Sequence, residues 1–392
     1  MALSVNNSGI CCNFVRMARI IAAFDSMKGS LTSREAGEVI REALRGLRPE
    51  AETDIVVTAD GGEGTSGALM AALGGSEVEC SVCGPAGGSV IARYGISAKD
   101  GRAIMEMASA SGITLLNECE RNPMRTTTLG VGQMILDAAR RGCRHIVIGL
   151  GGSATNDGGM GMLSALGVRF FDSAGVELAP VGGNLVNVSR VDTSGIPESV
   201  RALSFTVACD VDSPLYGPDG AAYVFAPQKG ADPAMVDALD RGLRNYARVI
   251  GEAVGKDVAM VRGAGAAGGL GAAFVAFLNS RIKRGIDVIL DAAGFDELLN
   301  GATLVVTGEG SMDGQTLMGK APAGILRRAL GASVPTVAFA GRVSDRESLL
   351  AAGFAAVEAI TPASMPLEVA MRPEVARGNL MNAARRVLPM WV

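Results

Sequence analysis

Histidine is almost missing from this 392-residue chain, which holds His145 and no other imidazole. A histidine-centred triad therefore has little to build on, and general-base work falls to carboxylates. His145 itself, between Arg144 and an apolar run, reads as structural. Aromatic residues make up only 4%, too few for base-stacking platforms. Basic charge is not in excess either: 36 Lys and Arg stand against 40 Asp and Glu, for a net charge of −4. That balance excludes the electrostatic footprint of a nucleic-acid or anionic-membrane binder. No apolar run reaches the roughly 18–20 residues of a membrane span. The first 18 residues lack a continuous apolar stretch and a cleavage site of secretory type. Seven cysteines, an odd number, are then read as reduced thiols in the cytoplasm. Cys80 and Cys83 form a lone CxxC in a strand-like stretch, where positions three apart face opposite ways, so they read as structural too.

Glycine is what the chain has in abundance, 53 residues without collagen-like periodicity. Turns account for most of them, but dense clusters mark places where backbone must approach something closely. Ile20 to Phe24 reads as a strand, followed by Asp25-Ser-Met-Lys28-Gly-Ser. Thr32 and Glu35 have capping-box spacing, and Ala36, Val39, Ile40, Ala43, Leu44 and Leu47 recur on one helical face. A second strand, Ile55 to Thr58, runs into Ala59-Asp60-Gly-Gly-Glu63-Gly. The same grammar returns late: a strand over Thr303 to Thr307 ending in Gly308-Glu309-Gly310, a helix from Pro322 to Leu330, and a strand from Pro335 to Ala340. Strand, helix, strand implies a parallel sheet. Between these ends, residues 77 to 107 read as short strands with turns at Gly84-Pro85 and Asp100-Gly101. Helices follow near Thr126 to Arg141 and from Asp232-Pro233 to about Val254. The expected fold is α/β with two domains: a Rossmann-like parallel-sheet domain from 17–75 plus 286–392, and an inserted mixed α/β domain over 76–285. The active site is expected in the cleft between them, and residues 1–16 are expected to be a tail.

Four apolar strands each end in a glycine-rich loop carrying acid or amine. They bring Asp25 with Lys28, Asp60 with Glu63, Asp157, and Glu309 with Asp313. Ligands of open α/β sheets bind beyond the carboxyl ends of strands, and glycine loops entering helices offer free amides to phosphate. Nearby carboxylates can hold Mg²⁺, which takes only one or two protein ligands. The set fits phosphoryl transfer. Any single Asp-Gly pair is more often a turn, so the recurrence carries the reading. Asp60, Glu63, Asp157 and Lys28 are the catalytic candidates, with Asp157 and Glu309 for Mg²⁺. Asp25, Gly151, Gly152, Ser153, Asn156, Asp210, Lys229, Glu309 and Lys320 are candidates for substrate or phosphate. Two lookalikes are weaker. Gly263-Ala-Gly265-Ala-Ala-Gly268 matches GxGxxG, with Asp287 beyond it in a strand-like run, but no clear strand precedes it. Gly314 to Ala321 nearly matches a Walker A loop, with Ala where the metal-binding hydroxyl belongs.

Taken in order, Asp25-Ser-Met-Lys-Gly-Ser-Leu31, Ala59-Asp-Gly-Gly-Glu-Gly-Thr65, Gly149-Leu-Gly-Gly-Ser-Ala-Thr-Asn-Asp-Gly-Gly159, Val207-Ala-Cys-Asp210, Pro227-Gln-Lys-Gly230, Gly263 to Gly269 and Thr307-Gly-Glu-Gly310 resemble the bacterial glycerate kinase family of the glycerate 2-kinase type. The resemblance covers nearly the whole chain. It implies ATP and Mg²⁺, D-glycerate as acceptor and phosphoglycerate as product, with the 2-phosphate favoured. Phe24, Met27, Gln133, Ser311 and Met318 depart from the family's usual pattern; Ser311 stands where an arginine is common. Two competing readings are an NAD(P)-dependent oxidoreductase, from the GxGxxG lookalike, and a non-catalytic small-ligand-binding protein on the same scaffold.

Overall fold

The computed structural model describes residues 18–27, 29–58, 65–278 and 280–392. Its strands in chain order are β1 (Arg19–Phe24), β2 (Glu52–Val57), β3 (Gly75–Cys83), β4 (Ser89–Ser97), β5 (Ala103–Glu106), β6 (His145–Gly149), β7 (Arg169–Phe171), β8 (Arg190–Asp192), β9 (Ser204–Ala208), β10 (Arg281–Lys283), β11 (Leu304–Met312), β12 (Thr336–Val343) and β13 (Ala356–Ala359). Both ends of the chain supply one five-stranded sheet, ordered β13-β12-β11-β1-β2 and parallel throughout. The middle supplies a six-stranded sheet, β10-β9-β6-β5-β4-β3. Its first four strands are parallel, and β4 and β3 are added as antiparallel neighbours. β7 and β8 form a separate antiparallel ribbon.

Strands of the parallel sheet are apolar on both faces, as a sheet covered on both sides requires. Ile20, Ala22 and Phe24 of β1 face the helices Ser33–Leu47 and Pro373–Val387. Ile21 and Ala23 face the opposite layer, with Ile325 of Ala321–Gly331 and Phe295. The Thr32–Glu35 capping box forms in full: Glu35 N–H donates to Thr32 Oγ1 (3.2 Å), and Thr32 N–H donates to Glu35 Oε2 (2.8 Å). The helix Gly285–Ala292 lies between the two sheets. Its Ile286 and Leu290, one turn apart, pack under the parallel sheet. Val288, Ile289 and Ala292 pack instead on Ile104, Val147 and Ala208 of the mixed sheet.

Several expectations need correcting. The strand expected to stop at Thr307 runs on to Met312, because β12 continues beside it and pairs Glu309 with Ala340 and Ser311 with Arg342. Gly308-Glu309-Gly310 is thus strand, not loop. Asp287 lies in the Gly285–Ala292 helix rather than in a strand, and it pairs with Arg327 (2.6 Å) and Arg328 (3.3 Å). The helix expected from Thr126 begins at Leu129, since Thr126 to Thr128 bond to neighbouring loops instead. Among the described residues no helix is long and apolar enough to cross a membrane.

Candidate functional site

The parallel sheet changes winding direction between β1 and β11. The helix after β1, Ser33–Leu47, leads outward to β2 on one face. The helix after β11, Ala321–Gly331, leads the other way to β12 on the opposite face. Right-handed crossovers departing in opposite directions leave a crevice beyond the strand ends. Asp25, just past the end of β1, and Glu309, on the adjacent β11, stand there, 3% and 6% exposed. The Asp25 N–H donates to Gly308 O (2.9 Å), which locks the two strand ends together. Asp25 Oδ1 accepts from Ser26 N–H (2.7 Å). Glu309 Oε1 accepts from the Thr316 hydroxyl (2.6 Å), and Lys320 Nζ lies 3.7 Å from Glu309 Oε2. Asp25, Ser26, Glu309 and Lys320, with Ser311 and Arg342, line part of a cavity of about 890 Å³. The Walker A lookalike is therefore no phosphate loop. Its Thr316 holds a carboxylate, while Lys320 stands at the N-cap position of the helix that follows, without a side-chain capping bond.

A second cavity, of about 410 Å³, opens beyond β6 and β9 in the mixed sheet. Gly151, Gly152, Ser153, Asp210 and Lys229 line it. Lys229 is 2% exposed and reaches inward from a short turn, Pro227–Lys229, to donate to Ser153 Oγ and Thr155 O, both at 2.7 Å. Burial pulls its ammonium down to about 7, partly opposed by the negative charge of Asp157. Because Ser153 accepts from Lys229, its own hydroxyl proton is left to point elsewhere. Ala267 and Gly268 pass this cavity in left-handed backbone, at φ 52° and 69°. A Cβ on Gly268 would sit 2.2 Å from Thr155 O, so only glycine allows this close approach. That packing explains the GxGxxG pattern, which follows no strand among the described residues.

Asp157, expected to share a metal with Glu309, lines neither cavity. It is fully buried and accepts from Thr128 N–H (2.7 Å), the Thr128 hydroxyl (2.8 Å), Gly159 N–H (3.1 Å) and Gly161 N–H (3.1 Å). Four donors fill about the four acceptor sites of a carboxylate. Burial raises its pKa, and those hydrogen bonds pull it back. The geometry makes it an internal brace of the 151–161 loop. Asn156 is buried as well, and neither end of its amide finds a partner among the described residues.

One stretch of backbone links residues of the two cavities. Asp210 Oδ1 accepts from Gly285 N–H (3.0 Å). The preceding residue, Arg284, packs on Gly319, where a Cβ would meet its guanidinium at 2.5 Å. Gly319 in turn precedes Lys320 of the larger cavity. Lys28, Asp60 and Glu63 lie outside the described residues. One acid went unnoticed in the sequence: Glu106, the last residue of β5, accepts from both the N–H (3.2 Å) and the hydroxyl (2.8 Å) of Ser66. Its strand-end position was the available signal, but Met-Ala rather than glycine follows it. His145 bonds Ser204 (2.7 Å) and Thr206 (3.2 Å), and burial lowers its pKa, as befits a structural residue.

A model of the glycerate kinase family matches residues 20–392. The Bacillus cereus glycerate kinase is 42% identical over 374 residues, 95% of this chain and 98% of that protein. The Escherichia coli glycerate 2-kinase is 41% identical over 370 residues, 94% and 97% of the two chains. A crystal structure from Salmonella typhimurium LT2, assigned to glycerate kinase 2, superposes with a TM-score of 0.84 at 40% identity, covering 95% of this chain and 98% of that one. With the family model matching residues 20–392 and relatives similar over nearly the whole of both chains, the chain belongs to the glycerate kinase family, enzymes that phosphorylate glycerate.

Proposed function

We propose that the terminal phosphoryl group of ATP passes to the 2-hydroxyl of D-glycerate between the two cavities. The observation that carries this reading is the pair of buried carboxylates at the winding reversal, Asp25 just past β1 and Glu309 on the adjacent β11, with Lys320 and Arg342 lining the same cavity. A cavity of about 890 Å³ is ample for a nucleoside triphosphate. Lys320 and Arg342 would neutralise its phosphates, which is most of what phosphoryl transfer asks of a protein. Two carboxylates also suit Mg²⁺, whose other ligands are waters and phosphate oxygens. Asp25 and Glu309 would hold it in place of the Asp157–Glu309 pair. When bound, the ion would offset charge on the transferring phosphoryl group.

The smaller cavity takes the hydroxy acid. Its Gly151 and Gly152 allow close backbone approach, and Ser153, held from behind by Lys229, turns its hydroxyl proton toward the acid's carboxylate. Glu106, like Lys28, Asp60 and Glu63, is a further candidate for orienting the acceptor. Two domains, 17–75 with 286–392 and 76–285, would meet along the Gly285–Ala292 helix, and the cleft between them would exclude water during transfer. The 2-position is supported by the named activity of the Escherichia coli relative. Phosphorus NMR of the product formed from ATP, Mg²⁺ and D-glycerate tests both points together. A 2-phosphoglycerate resonance is expected; 3-phosphoglycerate, or no ATP-dependent product, would overturn the assignment.

A further inference from the structure

We infer that the nucleobase is held by an apolar wall without polar readout, so that the enzyme accepts purine nucleotides other than ATP. The inference rests on placing the nucleotide in the larger cavity. That cavity is sharply divided. Its charged and hydroxylic groups gather at the strand ends, around Asp25, Ser26, Glu309, Lys320 and Arg342. Much of the remaining wall is made by the segment after β13, with Ile360, Pro362, Met365, Leu367 and Met371 prominent on it. Leu367 is 72% exposed and Met371 39%, unusual for large apolar side chains on one short segment.

Between residues 359 and 376 the wall carries a single polar side chain, Thr361. Several backbone amides there are already engaged: Ile360 with Ala340 O (2.8 Å), Met365 with Pro362 O (2.9 Å) and Met371 with Leu367 O (2.9 Å). Pro362 has no N–H to offer. The Asn379 amide, just outside the wall, donates to Met365 Sδ (3.5 Å). Met371 packs on the loop after Asp25, since its Cε would lie 2.8 Å from a Cβ on Gly29. An apolar slot of this kind gains affinity from area and adaptable methionine contact. Such a slot discriminates poorly between bases, because strong rejection needs buried groups that the wrong partner leaves unpaired.

Two measurements test this. First, displacement of a fluorescent ATP analogue by ATP and GTP, together with kcat/KM for each, is expected to separate the two nucleotides by less than about 100-fold, the range of hydrophobic pockets. A larger preference for either would overturn the inference. Second, Leu367→Ala and Met371→Ala should weaken ATP and GTP by the same factor, several-fold, with the KM for glycerate unchanged. Leu367 is too exposed for its loss to unfold the chain. If both variants bind nucleotide as the parent does, the placement of the nucleotide itself fails, and the inference with it. If they weaken binding but base preference exceeds the limit, only the inference fails.

Discussion

Lys229 offers the sharpest test of how the smaller cavity is built. In the folded chain its pKa falls from 10.5 to about 7, chiefly because burial penalises the charged amine. The native state therefore binds fewer protons than the unfolded state between those two values. Stability must rise with pH across that window, because the unfolded chain holds the proton that the folded chain has released. Below pH 7 both states are protonated and the full burial cost is present; above about 10.5 it has gone. With about 1.36 kcal/mol per unit, this one group should add roughly 2 kcal/mol of stability between pH 7 and pH 9. Lys229→Met keeps the length of the side chain and removes the titration. It also leaves Ser153 Oγ and Thr155 O without their donor, so its stability at any one pH is ambiguous. The slope is not. Urea denaturation at pH 7, 8 and 9 should show the parent gaining roughly 2 kcal/mol more than the variant. Parallel slopes would refute the reasoning: the amine would then titrate alike in both states.

Five other substitutions separate catalysis from architecture. Asp25→Asn and Glu309→Gln should each lower kcat about 100-fold or more, the scale of losing one preorganised charged group, while leaving thermal unfolding little changed; steady-state assays with ATP and glycerate check this. Asp157→Ala should act mainly on the fold, since it orphans three buried N–H donors and a hydroxyl; at about 1–3 kcal/mol per orphaned group, a loss of at least 3 kcal/mol is expected in denaturant titration. Gly268→Ala, with φ at 69° and Thr155 O in the way, should cost more than about 2 kcal/mol by the same assay. Thr32→Ala, which breaks the capping box, should cost only about 1 kcal/mol and leave turnover intact.

Much of the fold was legible because local rules and global structure agree. The short apolar run of β1, the capping box at Thr32, and the proline at the start of Pro233–Val254 are short-range signals, and each appears where expected. The pairing of the two chain ends was legible too, from repeated strand-helix grammar. Failures came where a partner far away in sequence decides the outcome. Nothing local in Gly308-Glu309-Gly310 announces a strand; β12 beside it makes one. Asp287 sits in an apolar stretch whose two faces serve two different sheets, which erases the usual amphipathic stripe. Asp157 looked like a ligand because carboxylates beside glycines often are. Only the folded loop shows Thr128, 29 residues back along the chain, turning both its donors on it.

The same long-range logic explains why a site of this chemistry is assembled on two sheets rather than one. The parallel sheet has the winding reversal, and therefore the crevice, but the acids and amines there face a single large cavity. The mixed sheet adds β3 and β4 as antiparallel neighbours and supplies a glycine loop at the end of β6 and Asp210 beyond the end of β9. What joins them is the Gly285–Ala292 helix, buried on both sides. Its first amide fixes Asp210 of one cavity, and the residue before it packs against the turn that carries Lys320 of the other. Close-packed interiors transmit displacement rather than absorbing it. The separation of the two cavities, donor and acceptor pockets in the function proposed above, is therefore set by which residues of one two-turn helix face which sheet. An acceptor as small as glycerate, with few atoms of its own to bind, needs that separation held by the protein.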